Sequence, residues 1–241
     1  MNPSAQARAW WQTPLGAHLL AQEQDMLDPV VQDVFGYQAA QLGLPGIDLL
    51  RESRIRSRGI VAVEGGDVLA RADQLPLADR SVDLLLLPHV LEFAGNPHAV
   101  LREAVRVLMP EGRLIILGFN PFSLWGLRHF AGGGYPWAGR FIPVPRLHDW
   151  LQLLDMDTRG GRYTAYAPPL RNPSALARWA FMEKAGDRWW PMAGGVYMLQ
   201  AVKRVRGLRV LQAQPARRVA AKPVLVATGR NQRHLRRVPP P

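Results

Sequence analysis

Residues 81–119 read SVDLLLLPHVLEFAGNPHAVLREAVRVLMPEGRLIILGF, and the fold turns on this stretch. Val82 to Leu87 is a predominantly apolar run of strand length, as expected of a parallel strand covered on both faces, and Pro88 ends it. From Asn96 to Leu108 the apolar residues Val100, Leu101, Ala104, Val105 and Leu108 recur at helical spacing, and Met109-Pro110-Glu111-Gly112 supplies a stop and a turn. Arg113 to Phe119 is the next buried strand. Strand, helix and strand of these lengths form a right-handed crossover unit, and its repetition predicts a parallel α/β sheet.

Working outward, Tyr37–Leu42 (YQAAQL) is a strand-length segment that runs into Gly43, Pro45 and Gly46, a strand-to-helix turn predicting a short helix around Ile47–Ser53. Gly59–Glu64 (GIVAVE) predicts a second strand, Gly65–Asp67 a turn, and the following VLARAD a weaker third strand. Apolar residues between Trp10 and Phe35 predict two amphipathic helices ahead of the sheet. Downstream, the Gly-, Pro- and aromatic-rich stretch 120–145 is too long for a turn and predicts a lid or substrate-face insertion. Arg146–Met156 carries a helical stripe. GRYTAY and GGVYMLQAVKRV, joined by a long aromatic-rich connection, predict a closing pair of strands. The expected organisation is an N-terminal helical segment at 1–35, a main domain at 36–205 and a basic, Pro-containing disordered tail at 206–241.

The chain has 241 residues, 48% of them hydrophobic, enough for one α/β domain with a real core. It contains no cysteine, which excludes disulfides, thiolate metal sites and a thiol nucleophile. No apolar run reaches membrane-spanning length and the N-terminus lacks a signal-like pattern, so the expected compartment is the cytoplasm. The formal charge of +11 belongs to one end: no Asp or Glu follows Asp187, and eleven basic residues lie from Lys203 onward. Such a tail suits nucleic acid or another anionic partner, or a simple solvated extension.

From Ala72 to Phe119, about a fifth of the chain, an ordered series of short motifs resembles the class I S-adenosylmethionine (SAM)-dependent methyltransferases. Within them it resembles the methyltransferase type 11 group that includes ubiquinone-biosynthesis enzymes. The motifs are Asp73, Leu75-Pro76-Leu77, Ser81-Val82-Asp83, Leu91-Glu92-Phe93, Leu101-Arg102-Glu103, Arg106-Val107-Leu108 and Pro110-Glu111-Gly112. The N-terminal segment and Gly118–Gly126 further resemble a proteobacterial subgroup. The resemblance implies a Rossmann-like, mostly parallel seven-stranded sheet, or a reduced version of it, with helices on both faces and an antiparallel closing strand. It also implies SAM as cofactor. Gly43 and Gly46 would let backbone approach the methionine moiety, and Gln41 would hydrogen-bond it. Glu64 would hold the ribose hydroxyls, Asp73 would accept from the adenine amino group, and Gln74 would present its backbone beside the ring. His89 would face both cofactor and acceptor. His89 and Glu92 are candidate acid–base residues. Asn120, with Trp125, Trp137, Trp189 and Trp190, is a candidate for the acceptor pocket.

Two features depart from that family's pattern. Gln41-Leu42-Gly43-Leu44-Pro45-Gly46 stands where the family has an acidic residue and a Gly-x-Gly-x-Gly loop, and Pro45 removes an amide donor. Between Glu64 and Leu75 there is no room for the usual helix, which needs about eleven residues for three turns. Strands two and three must then join through Gly65–Asp67, or one of them is missing. The expected function is therefore methyl transfer to an unidentified acceptor. The alternative is a non-catalytic protein of the same fold that binds nucleic acid or a protein through its basic tail. A nicotinamide-dependent oxidoreductase ranks below both, because Gly43–Gly46 lacks the dinucleotide spacing.

Overall fold

A computed structural model describes residues 3–204; the basic tail expected at 206–241 lies outside the described residues. Seven strands form one sheet: β1 Gln38–Leu42, β2 Ser57–Ala62, β3 Val68–Leu69, β4 Val82–Pro88, β5 Leu108–Phe119, β6 Met156–Thr164 and β7 Val196–Lys203. Their order across the sheet is β3-β2-β1-β4-β5-β7-β6. The first five are parallel, while β7 runs antiparallel to both β5 and β6. Strand order reverses between β1 and β4, and a crevice outside their carboxyl ends is the natural ligand site in such a sheet.

The helices are α1 Pro3–Trp11, α2 Pro14–Gln32, α3 Pro97–Val107, α4 Leu124–Phe130, α5 Val144–Leu153, α6 Pro173–Trp179 and α7 Phe181–Trp189. One face of the sheet packs on α2 and the residues around Leu49 and Trp125, the other on α3 and α5. The α2 helix starts where Thr13 Oγ1 accepts from the Gly16 amide at 3.1 Å, with Pro14 at the first helical position, and buries Leu15, Leu19, Glu23, Met26, Leu27 and Val31. Asn96 caps α3 in the same way, accepting from the Ala99 amide.

Several residues of the short motifs are internal clamps. Asp83 Oδ2 accepts from the amides of Tyr37 and Gln38 at 2.8 and 2.9 Å, fixing the start of β1 against β4. Glu103 accepts from the Leu75 amide at 2.8 Å, and Arg106 donates to Glu103, to Asp79 and to the Leu75 carbonyl. The loop entering β4 is thereby pinned to α3.

Some expectations need correction. No helix forms over residues 47–53: Gln41 donates to the Ile47 carbonyl and accepts from the Leu49 amide, and Asp48 accepts from the Leu50 amide. These bonds offer the backbone a tight turn in place of a helical ladder. The β5 strand runs through the expected turn at 109–112 back to Leu108, which pairs with Val82. The first helix lies at Pro3–Trp11, ahead of the apolar pattern, and the connection before β7 contains α6 and α7. Strands β2 and β3 are both present and joined by residues 63–67 without a helix, Asp67 Oδ2 accepting from the Ile60 amide to hold the turn. No helix among the described residues is long and apolar enough to cross a membrane.

Candidate functional site

A cavity of about 1070 Å³ opens at the carboxyl ends of β1, β2 and β4. Four chain segments meet there. Gly43 and Gly46 follow β1; Glu64 follows β2; Asp73 lies beyond β3; and His89 follows β4. The glycine turn is compact because three of its four residues have left-handed backbone: Gly43 (φ 80°), Leu44 (φ 48°) and Gly46 (φ 88°). Glycine enters that region without a Cβ penalty, whereas Leu44 carries strain of about 1–3 kcal/mol. A Cβ on Gly43 would sit 3.3 Å from Val90 Cγ2, so the bare backbone also keeps the turn clear of the loop after β4.

The Gln41 side chain is buried and absent from the cavity wall. Its amide donates to the carbonyls of Gly43 (3.1 Å) and Ile47 (2.8 Å), and its carbonyl accepts from the Leu49 amide (3.0 Å). Where a direct ligand contact was expected, Gln41 instead splints the glycine turn. Asp73 lines the cavity with Arg71, which donates to both carboxylate oxygens at 2.9 and 2.8 Å. Those hydrogen bonds hold the Asp73 carboxyl below the usual carboxylate range. Gln74 lies outside the lining, its amide donating to the Arg71 carbonyl.

His89 is buried at φ 53° with both ring nitrogens engaged, Nε2 2.8 Å from Glu23 Oε1 and Nδ1 3.3 Å from Glu92 Oε1. Burial would lower its pKa, but the Glu23 and Glu92 carboxylates outweigh it and push the imidazole up to about 10. At neutral pH His89 is an imidazolium held between two carboxylates, so it has no free nitrogen with which to act as a base. Glu92 lies beneath the cavity wall, its Oε1 also accepting from the Phe119 amide at 2.8 Å. The second oxygens of Glu23 and Glu92 are buried without a hydrogen-bond partner, so the cluster is polar and incompletely satisfied.

The expected acceptor-pocket residues are elsewhere. Asn120 donates to the carbonyls of Met192 and Gly194, both at 2.9 Å, and clamps that segment to the end of β5. Trp125 and Trp137 are packed in the core with Phe119 and Phe141, while Trp189 and Trp190 face outward. The aromatic wall is made by Trp11 of α1, Phe93 and Tyr135 of the 120–145 insertion. Trp11 Nε1 donates to the Tyr135 hydroxyl at 3.1 Å, and Phe93 stacks on Tyr135 at 4.7 Å. Sequence reasoning read the residues from Trp10 to Phe35 only as amphipathic helices ahead of the sheet and missed Trp11, Glu23 and Tyr135 as parts of the site. Glu23 did leave a signal: it is an acid inside the apolar stripe of Leu19, Met26 and Leu27, where a buried carboxylate needs a partner. Among the described residues no group of three or more His, Cys, Asp or Glu side chains could hold a metal ion.

Residues 45–116 match the methyltransferase domain family. The chain is 34% identical over 154 residues to the uncharacterized protein YafS of Escherichia coli, covering 61% of this chain and 64% of that one. It is 40% identical over 80 residues to the ubiquinone/menaquinone biosynthesis C-methyltransferase UbiE of Rubrivivax gelatinosus, covering 33% and 30%. It thus spans less than two thirds of the length of either relative. Among solved structures it resembles a SAM-dependent methyltransferase of Thermotoga maritima, a possible histamine N-methyltransferase, with a TM-score of 0.55 at 17% identity over 77% of this chain and 89% of that one. The sheet order, the antiparallel strand β7 between β5 and β6 and these matches agree: the chain has the class I SAM-dependent methyltransferase fold and carries a methyltransferase domain match over residues 45–116.

Proposed function

We propose that this chain binds SAM in the cavity at the β1–β4 switch and transfers its methyl group to an acceptor held against the aromatic wall. The observation that carries the reading is convergence: Gly43, Gly46, Glu64 and Asp73, on three different loops, line one cavity together with His89. At about 1070 Å³ it lies just above the usual range of about 300–1,000 Å³ for small-molecule sites, room for a nucleoside cofactor beside a second ligand.

The residues fit the group. Two carboxylates, Glu64 and Asp73, line the cavity and would accept from the hydroxyls of a ribose and the amino group of an adenine, and the glycine turn offers backbone without side chains. Bound SAM would supply a methyl group on a positively charged sulfur. What the protein does is hold and orient: Gln41 fixes the glycine turn, Arg71 keeps Asp73 ionised, and Trp11, Phe93 and Tyr135 exclude water from the acceptor side. Positioning of this kind supplies much of a displacement rate. Because both His89 nitrogens are engaged, the reading favours acceptors that arrive nucleophilic over those that need a proton removed at His89. The alternative, a non-catalytic scaffold acting through the basic tail, rests on the charge of residues outside the described ones.

Titration calorimetry with S-adenosylhomocysteine tests the reading. Binding in the micromolar range, weakened about tenfold or more by Asp73→Ala, is expected for loss of a charged hydrogen-bond acceptor. No heat at millimolar ligand would sink it.

A further inference from the structure

Among the described residues, the 120–131 and 179–192 segments carry a group of exposed large apolar side chains on the side away from the core. Helix α4 turns Trp125 inward, while Leu127 and Phe130 point outward with Leu124 on the same face. Phe122, Leu127, Phe130, Trp189, Trp190 and Met192 are between 61% and 80% exposed. The two segments adjoin: Asn120 bonds the Met192 carbonyl with its amide nitrogen and accepts from the Phe122 amide at 3.0 Å with its amide oxygen. Gly195 packs so closely on Trp125 that a Cβ would come within 2.3 Å of the indole. Large apolar side chains grouped in this way are costly in water and mark an interaction surface.

The charges beside this face select the occupant. Arg171, Arg178, Lys184 and Arg188 are exposed on the stretch that holds α6 and α7, and the Arg188 guanidinium lies 5.9 Å from the Trp189 ring. Of the two acids there, Glu183 turns back to accept from the Ala167 amide at 3.1 Å, leaving Asp187 on the exposed side. Tryptophan and phenylalanine flanked by arginine and lysine suit the boundary between lipid headgroups and acyl chains: rings enter the boundary and cations meet lipid phosphates. We infer that this face docks the protein on an anionic phospholipid bilayer, with α4 and the Trp189–Met192 turn lying in the interface plane. The inference is independent of methyl transfer, since none of these residues lines the cavity.

Flotation of the full-length chain with phosphatidylcholine vesicles, with and without phosphatidylglycerol, tests it. The wild-type chain is expected to float with the phosphatidylglycerol vesicles. Two independent variants, Leu127→Asp/Phe130→Asp and Trp189→Asp/Trp190→Asp, should each lower partitioning roughly tenfold or more by removing two inserting side chains. Lys184→Glu/Arg188→Glu should erase the preference for the anionic lipid. All three change exposed positions, and unchanged thermal midpoints would show intact folding. The inference is overturned if the wild type ignores both vesicles, or if both apolar variants float as well as wild type, which would leave the basic C-terminal segment as the sole contact. It is equally overturned if the wild type sediments as a dimer that the same variants dissociate while vesicles bind nothing, which would make the face a protein interface.

Discussion

The two flanks of the β1–β4 switch are built to different standards. On one side β4 and β5 extend for 7 and 12 residues, with Leu84 to Leu87 fully buried and α3 closing over them. On the other, β3 is two residues long, both exposed, and reaches β2 through a five-residue turn where a helix would normally pack. Both flanks contribute to the cavity, yet only one contributes much to the core. Stability and ligand contact are therefore separable here, and substitutions can pull them apart. Leu85→Ala should destabilise by about 2–5 kcal/mol, the range for emptying a fully buried leucine site, whereas Leu69→Ala should stay within about 0.5 kcal/mol. Urea unfolding of both variants measures the contrast, and equal losses would show that the reduced flank is structural after all.

Gln41 sharpens the comparison because it lies between the two flanks, on β1, paired with Ile60 of β2 and Leu86 of β4. Gln41→Ala leaves the Gly43 and Ile47 carbonyls and the Leu49 amide without their partner, and a buried group left unsatisfied costs about 1–3 kcal/mol. The expected outcome is a stability loss in that range together with weaker S-adenosylhomocysteine binding, since the splint of the glycine turn is gone. Calorimetry and urea unfolding on the same protein check both halves. A stability loss with unchanged affinity would show that the turn keeps its shape without the splint.

What could be read from the sequence divides along the same line. Periodicity exposed β4, α3 and β5 because these elements are buried and regular, while the site residues Asp73, Glu64, Gly43, Gly46 and His89 came from the family resemblance, and all five line one cavity. It failed where side-chain bonds override local preference: residues 47–53 have helical composition, but bonds from Gln41 and Asp48 hold them in a turn. It placed the second strand two residues late because Val63 extends the apolar run, although Val63 is 63% exposed. Trp11, Glu23 and Tyr135 could not be assigned to the site because they arrive from segments far apart in the chain, and their meeting is a tertiary fact.

The Glu23–His89–Glu92 cluster ties the N-terminal helices to the robust flank, and pH tests how firmly. The His89 pKa rises on folding from its ordinary 6.5 to about 10, so its contribution to stability is complete below pH 6.5 and is lost as pH climbs through about 10. The thermal midpoint should therefore fall between pH 7 and 10, and His89→Gln should start lower and flatten that slope. A wild-type midpoint flat across the window would mean that His89 is neutral in the folded protein.

A small stability effect is also expected at Asp73, at the reduced flank. Its partner Arg71 is largely exposed, and a surface ion pair of this kind contributes about 0–1 kcal/mol. Asp73→Asn should therefore leave the unfolding midpoint nearly unchanged. The carboxylate nevertheless faces the cavity and is held ionised by two hydrogen bonds from Arg71. If it receives the adenine amino group, the amide replacement, which keeps one acceptor oxygen but loses the charge, should weaken S-adenosylhomocysteine binding less than Asp73→Ala does. Graded affinity at constant stability would mark the reduced flank as a surface kept for its ligand. Equal affinity in all three proteins would leave cofactor contact to the glycine turn and Glu64.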